Sequence, residues 1–355
     1  KHLYLTPGDT PVGFRLPLDS LPWVADEEFP HVHPADPTRR APALPDRRAP
    51  VRAQPAGGTL AARNTFRGLK GKGGPLLAGI HDTPFQTHGR KVTVFKDTIG
   101  DFRTMTVGYD QRLNDVIVYA APKNDMWGGQ LAFQLDQNDW QQADDPDTPD
   151  MDESEQAATA FSAMAYVTPM EGDLFIGAAY ETWGEGYMEP MKTEGIKSTG
   201  AFRGAAKWMG EKFGISALFQ SVSDWYTIEG IDATTFGVEA LFAGSEKWKF
   251  KGNYYATTIK VEGNDEDTKV SQFALGIDHV FAPRTMFYLQ WAMINNGDYG
   301  DFHIGGYTVS SADTGFDRDI RWGNGFGGTY DTAMKEDGTG YENPMGVSLG
   351  VVHSF

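Results

Sequence analysis

The stretches of this chain that alternate apolar and polar residues are joined by links that are themselves alternately short and long. In "SQFALGIDHVF" (271–281) Phe273, Leu275, Ile277 and Phe281 fall on one face, and Gln272, Ala274, Gly276 and Asp278 on the other. Period two places the two faces of a strand in different surroundings. The pattern recurs in "FSAMAYV" (161–167), "LFIGAAYETW" (174–183), "ISALFQSV" (215–222), "TFGVEALFA" (235–243), "FKGNYYATTI" (250–259) and "MFYLQWAM" (286–293). Short links such as "APKND" (121–125), "PMEGD" (169–173), "GEKFG" (210–214), "GSEK" (244–247) and "APR" (282–284) take turns with longer ones at 136–156, 184–199, 223–232, 262–268 and about 295–340. Successive antiparallel strands end at opposite rims, so this sorting means one trimmed rim and one elaborated rim. That is the habit of an outer-membrane β-barrel, and a soluble sandwich has little reason to sort its loops so regularly.

Other features fit the same reading. No apolar run reaches the roughly 18–20 residues of a membrane-spanning helix. The chain is 355 residues long with a formal charge of −17, so it lacks the basic footprint of a nucleic-acid binder. It has no cysteine, which excludes disulfides, thiol nucleophiles and cysteine-ligated zinc. The last strand, "GVSLGVVHSF", alternates to its end, so its terminal Phe355 is expected at the membrane interface on the short-turn side.

One stretch is more specific. "RNTFRGLKGKGGPLLAGIHDTPFQTHGRKVTVFKDTIGDF" (63–102), followed by "QRLNDVIVYAAPKNDMWGGQLAFQL" (111–135), resembles the Gram-negative trimeric general porins. Their pattern has an Arg-initiated strand ending in Gly-Leu, a tight glycine turn, an Asp-Thr-Pro-like motif, a long inserted loop and a second Arg-initiated strand. The resemblance spans about 63–355. It implies an all-β, antiparallel transmembrane barrel of the 16-stranded type. It also implies a bacterial outer-membrane channel without enzymatic activity or cofactor, forming a homotrimer among lipid and lipopolysaccharide and passing ions and small hydrophilic solutes. The segment from Asp82 to Gln111 is then a loop folded into the pore, carrying Asp97 and Asp101. Arg63 and Arg112 match the family's basic wall, and strand parity adds Arg67, on the face opposite an outward Phe66. Parity likewise turns Arg112 away from the face of Ile117 and Tyr119. Leu77 and Ile80 depart from the pattern, since relatives often carry basic residues there. The net charge points to mild cation preference, but charges beyond about 8 Å are screened at physiological salt, so the constriction should outweigh the total.

About thirteen strands can be counted from residue 63 onward, three fewer than the resemblance implies. Residues 1–56 hold 11 of the 20 prolines and balance seven basic against seven acidic side chains. Proline cannot donate to a sheet ladder, so this segment is expected to form no barrel strand. Its stretch 3–38 resembles part of a transglutaminase-associated, amidoligase-like bacterial family, which predicts a fused or misjoined segment. The chain begins "KHLYLTPGDT", without Met or a signal-peptide core, which predicts a removed leader or a missing start. "HVH" (31–33) and the acidic loops do not match a defined metal site. Trp183, Tyr187 and Trp291 read as girdle or loop packing. The alternative is an outer-membrane barrel with an adhesin or hydrolase role, although His279 and His353 have no evident serine partner.

Overall fold

The computed structural model describes residues 64–135, 159–184, 197–297 and 343–354, apart from 107, 123, 171–172, 226–228 and 265–266, with the short stretches 4–5, 12–13, 302–304, 306–309 and 320–323. Tyr4–Leu5 (β1) and Val12–Gly13 (β2) pair only with each other. The remaining reading of residues 1–56, including the HVH motif, lies outside the described residues, as do Arg63, Tyr187 and Phe355.

The main sheet is built in chain order from Thr65–Gly71 (β3), Gly74–Asp82 (β4), Arg112–Ala120 (β5), Trp127–Gln134 (β6), Ala160–Val167 (β7), Leu174–Trp183 (β8) and Thr199–Met209 (β9). It continues through Phe213–Ser223 (β10), Ile231–Ala243 (β11), Trp248–Val261 (β12), Thr268–Ala282 (β13) and Thr285–Asn295 (β14). Phe302–His303 (β15), Gly306–Val309 (β16) and Ile320–Gly323 (β17) form a separate small sheet, and Met345–His353 (β18) returns to pair with β14. The result is a 13-stranded sheet in which every neighbouring pair is antiparallel. Strands β12 and β13 run 14 and 15 residues. About 9–11 suffice to cross a bilayer, so their ends stand beyond the hydrocarbon.

Local chemistry explains the faces. Phe273, Leu275, Ile277 and Phe281 are exposed, while Gln272, Ala274, Gly276 and Asp278 between them are buried, and the same alternation runs through β6 to β12. The outward side chains are the large apolar ones, as lipid requires. Aromatics gather beside the short turns: Phe213 stacks on Phe242 at 4.7 Å, Trp248 meets His279 at 4.2 Å, and Phe281 sits edge-on to Phe287 at 5.8 Å. This is the interfacial girdle of a membrane barrel. The tight turn between β3 and β4 needs Gly74, which has φ 96° and whose missing Cβ would strike the carbonyl of Ala120. An arginine at Leu275, in the middle of the lipid face, should cost about 2–4 kcal/mol in refolding titrations into lipid vesicles. An unchanged unfolding free energy would contradict the outward assignment.

Because thirteen is odd, the two edge strands β3 and β18 run in the same direction. Joining them directly would need a parallel ladder. Joining them through antiparallel neighbours needs an odd number of further strands, a parity that the three strands absent from the count would meet. Unpaired edges are costly in lipid, which has no water to satisfy their backbone groups.

Two parity expectations are corrected in this first part of the sheet. Phe66 faces inward: it is half-buried, packs on the core, and lies 5.2 Å from the ring of His81. Arg67 pairs with Ala78, which in turn pairs with the exposed Ile117, so Arg67 lies on the outward face with Leu69. Parity fixes which residues share a face but not which face is inward, and here the pattern alternates glycine with larger side chains. The second correction concerns Arg112. The register slips by one residue between Gly79 and His81, where Asn114 and Asp115 stand against Ile80 alone, and Asp115 has φ 50°. A bulge resets the alternation. Leu113 is therefore buried like its partner His81, and Arg112 shares the opposite face with its partner Asp82.

Candidate functional site

The segment between β4 and β5 lies against the inner face of the sheet. Thr83 accepts a hydrogen bond from the Gln86 N–H (3.1 Å) and Pro84 opens the helix Pro84–Val92 (α1), a favourable start because proline's missing donor is not needed there. Arg90 and Lys91 occupy its last turn, where a helix favours positive charge. After α1 come an irregular turn and a 3-10 turn at Phe102–Thr104, for which Asp101 is the N-cap.

Backbone that is neither helix nor sheet is tolerated at membrane depth only where protein or water satisfies it. Here wall side chains do so. The Phe85 N–H donates to Ser162 on β7 (3.0 Å). The Gly100 carbonyl accepts from Asn253 on β12 (2.6 Å) and Gln272 on β13 (3.1 Å). The Met105 carbonyl accepts from Thr235 (2.9 Å) and Thr257 (2.7 Å), and that of Thr106 from Gln220 (2.7 Å). The Glu239 carboxylate takes the Thr93 hydroxyl (2.9 Å), the Tyr255 hydroxyl (2.7 Å) and the Val94 N–H. Phe95 packs with Ala274 and Ala292, on β13 and β14. One segment is thus bonded by strands β7 and β9 to β13 and packed on β8 and β14. Strands lie about 4.8 Å apart, so a flat sheet could not bring so many to one short segment. The sheet must curl around it.

The strongest tether is buried. The guanidinium of Arg203 on β9 makes two bonds of 2.7 Å to Asp110, bonds Gln220 (3.0 and 2.5 Å) and the Phe85 carbonyl (3.1 Å), and lies 4.0 Å over the Phe85 ring. Gly89 leaves room for it: a Cβ there would meet Arg203 and Phe102. Beside it His88 is enclosed against Phe175, with ring centroids 5.7 Å apart. Burial, and then the charge of Arg203, lower its pKa to about 3, so its ring is neutral at physiological pH. Trp183 stacks on Tyr109 at 4.5 Å and donates to Glu181, so it packs the inserted segment. Trp291 faces outward, 5.9 Å from Phe273.

Arg63 lies outside the described residues, and the other four expected site residues do not meet. Asp97, at φ 55°, bonds Arg90 (3.2 and 2.8 Å) and Arg103 (2.6 Å), and Asp101 bonds Arg103 (2.9 and 2.8 Å) and the Asp97 N–H (2.6 Å). Burial works against the Arg103 charge, but Asp101 outweighs it and holds its pKa above the usual value. The two acids are therefore answered from within their own segment. Arg112 reaches Asp82 (2.6 Å) and Asn64 (2.7 Å), where the segment leaves β4 and rejoins β5. The Thr83 N–H to Gln111 carbonyl bond (3.1 Å) closes the same base. Arg67 is on the other side of the wall. The sequence reading missed Arg90, Arg103, Asp110 and Arg203. Two of these flank the acids as "GRKVTVFKDTIGDFR", a local signal, but nothing in the sequence joins Asp110 to a residue 93 positions later.

The sequence profile of the Gram-negative porins matches residues 48–299. That is well over half of the chain. The chain belongs to the Gram-negative porin family. It is an outer-membrane porin. The match opens at residue 48, inside the stretch set apart above as 1–56. Among solved structures, the chain is similar to an anion-selective porin from Comamonas acidovorans, with a TM-score of 0.58 and 16% identity over 82% of this chain and 78% of that one. It is also similar to in-vitro folded OmpT, an outer-membrane protein of Vibrio cholerae, with a TM-score of 0.50 and 16% identity over 72% and 74%. The trimer form of that OmpT scores 0.50 at 15% identity over 75% and 78%. Identities this low carry the porin fold and no residue roles. Comparison with curated protein sequences finds no match.

Proposed function

We propose that this porin is a general diffusion channel for ions and small hydrophilic solutes, narrowed by the segment 82–111. The observation that carries the reading is the set of wall side chains bonding that segment's backbone, with Arg203 and Asp110 at its centre. A barrel that served only as an anchor has no use for so heavily tethered an insertion. Opposed charges in a narrow wet gap order water and orient dipoles, so a polar solute is favoured over an apolar one. A homotrimer surrounded by lipid and lipopolysaccharide is the matching assembly, supported by the trimeric form of the Vibrio OmpT. The protein refolded into a planar bilayer should give stepwise, ohmic conductance that scales with bulk salt. A silent bilayer with folded protein present would reject the reading.

A further inference from the structure

On the short-turn side of the inserted segment, the inner wall carries polar groups that the fold does not use. Phe95 packs on Ala274 of β13 and Ala292 of β14. The next inward positions on those strands are Gly276 and Gln290, which stand opposite each other, and Gly276 also stands opposite Lys251 on β12. Two residues nearer the short turn, Asp278 faces Tyr288. Gln290 is 1% exposed, and among the described residues neither its amide nitrogen nor its amide oxygen has a hydrogen-bond partner. Lys251 donates to one oxygen of Asp278 (3.0 Å), and the other oxygen of that carboxylate is buried without a partner. Gly276 makes room between them, since a Cβ there would stand 2.8 Å from the Lys251 side chain and 3.2 Å from Phe95. The Tyr288 ring lies across Gly350 on β18, where a Cβ would collide with it. Tyr288 and Ser348, the residue opposite Gln290, are half-exposed, so the patch borders the lumen.

Water meets the needs of a lone buried polar atom readily. A buried amide with both ends unused, beside a half-used carboxylate, is a costlier arrangement than a leucine of similar size. Gln290 adds no side-chain hydrogen bond to the fold, so its amide is free to serve a solute. We propose that Lys251, Asp278, Tyr288 and Gln290 form a subsite for small neutral polyols of the monosaccharide class. The inference rests on the diffusion-channel reading and adds to it a solute that the wall retains in passing. Charge narrows the class: the Lys251 ammonium repels a cation, the free Asp278 oxygen repels an anion, and the two charges cancel. Hydrogen bonding narrows it further. The amide nitrogen and the remaining ammonium hydrogens donate, the amide and carboxylate oxygens accept, and a hydroxyl does both from one atom. Tyr288 offers a flat apolar face, at the lumen side of the patch, to the C–H side of a sugar ring.

Single-channel currents of the refolded protein in potassium chloride, with arabinose added to the bath, test this. Arabinose should lower the current along a saturating curve. A polyethylene glycol of similar size has ether acceptors but almost no donors, and it should lower the current only in proportion to viscosity. Gln290→Leu breaks no side-chain bond of the fold, so it should refold and conduct like the parent while its arabinose affinity falls about tenfold. Lys212→Gln, on the exposed short-turn rim, should keep the parent's affinity. Tyr288→Ala, at a half-exposed position, should weaken arabinose about fivefold and serves if the leucine variant does not fold. A conducting parent that responds alike to arabinose and to the glycol at matched viscosity would overturn the subsite and leave the channel reading intact. Unchanged affinity in the Gln290 and Tyr288 variants would do the same. A non-conducting parent would instead sink the channel reading and the subsite with it.

Discussion

Replacing Arg203 with methionine should free the inserted segment and produce the largest structural effect of any single substitution in the described residues. The guanidinium holds Asp110, Gln220 and the Phe85 carbonyl at once and is fully buried. Its removal leaves the Asp110 carboxylate without its two short bonds, in a place water reaches poorly. Breaking one side of a buried pair costs about 3–5 kcal/mol. The strands do not depend on this contact, since their ladders are complete on either side of β9. The cost should therefore fall on the segment. We expect larger and noisier single-channel conductance, faster protease cutting within 84–110, and little change in barrel content by circular dichroism. The double variant Arg203→Met with Asp110→Leu should recover part of the loss, because no charge is then stranded. Conductance and cleavage equal to the parent's would show that the pair does not hold the segment.

Acid should loosen the same region through His88. The folded protein holds this ring neutral down to about pH 3, whereas a free histidine protonates near 6.5. Between those values the detached state binds more protons than the packed one, so packing is fully favourable above about 6.5 and weakens as pH falls toward 3. The whole effect is on the order of 3–5 kcal/mol. Burial beside Phe175 comes first among its causes, followed by the charge of Arg203. A His88→Phe variant keeps the ring and cannot be protonated, so it should remain packed to lower pH. Protease cutting within 84–110, measured across this range, checks the prediction. Parent and variant responding identically would assign the acid sensitivity to other groups. Gly177 bears on the same contact, since a Cβ there would stand 2.8 Å from the His88 ring nitrogen.

The strands and their outward faces were legible from sequence because period-two alternation is a local property. Leu275 is outward whatever lies across the barrel, since lipid selects it residue by residue. The sorting of short and long links likewise follows from direction reversal at every turn, and the thirteen strands counted from residue 63 are the thirteen of the sheet. The family was legible because its motifs stand in order on one stretch. What failed needed information from across the sheet. Arg112 changed faces because one extra residue at Asn114–Asp115 resets every position before it in the strand, and a bulge leaves no periodic trace. Arg67 and Phe66 exchanged sides because alternation separates two faces without naming them. In β3 the neighbouring residues are glycine, leucine and lysine, so composition does not decide the matter either. Asp97 and Asp101 were found, but not their partners, because a left-handed turn at Asp97 folds the segment back on Arg90 and Arg103. The tether between Asp110 and Arg203 arises only when the sheet curls around the inserted segment. The sequence by itself determined a strand-built membrane wall with an interrupted link, because hydrophobic period and turn length act over a few residues. Only the tertiary structure decided which charges face each other in the lumen, because that depends on curvature, bulges and registers that no short stretch encodes.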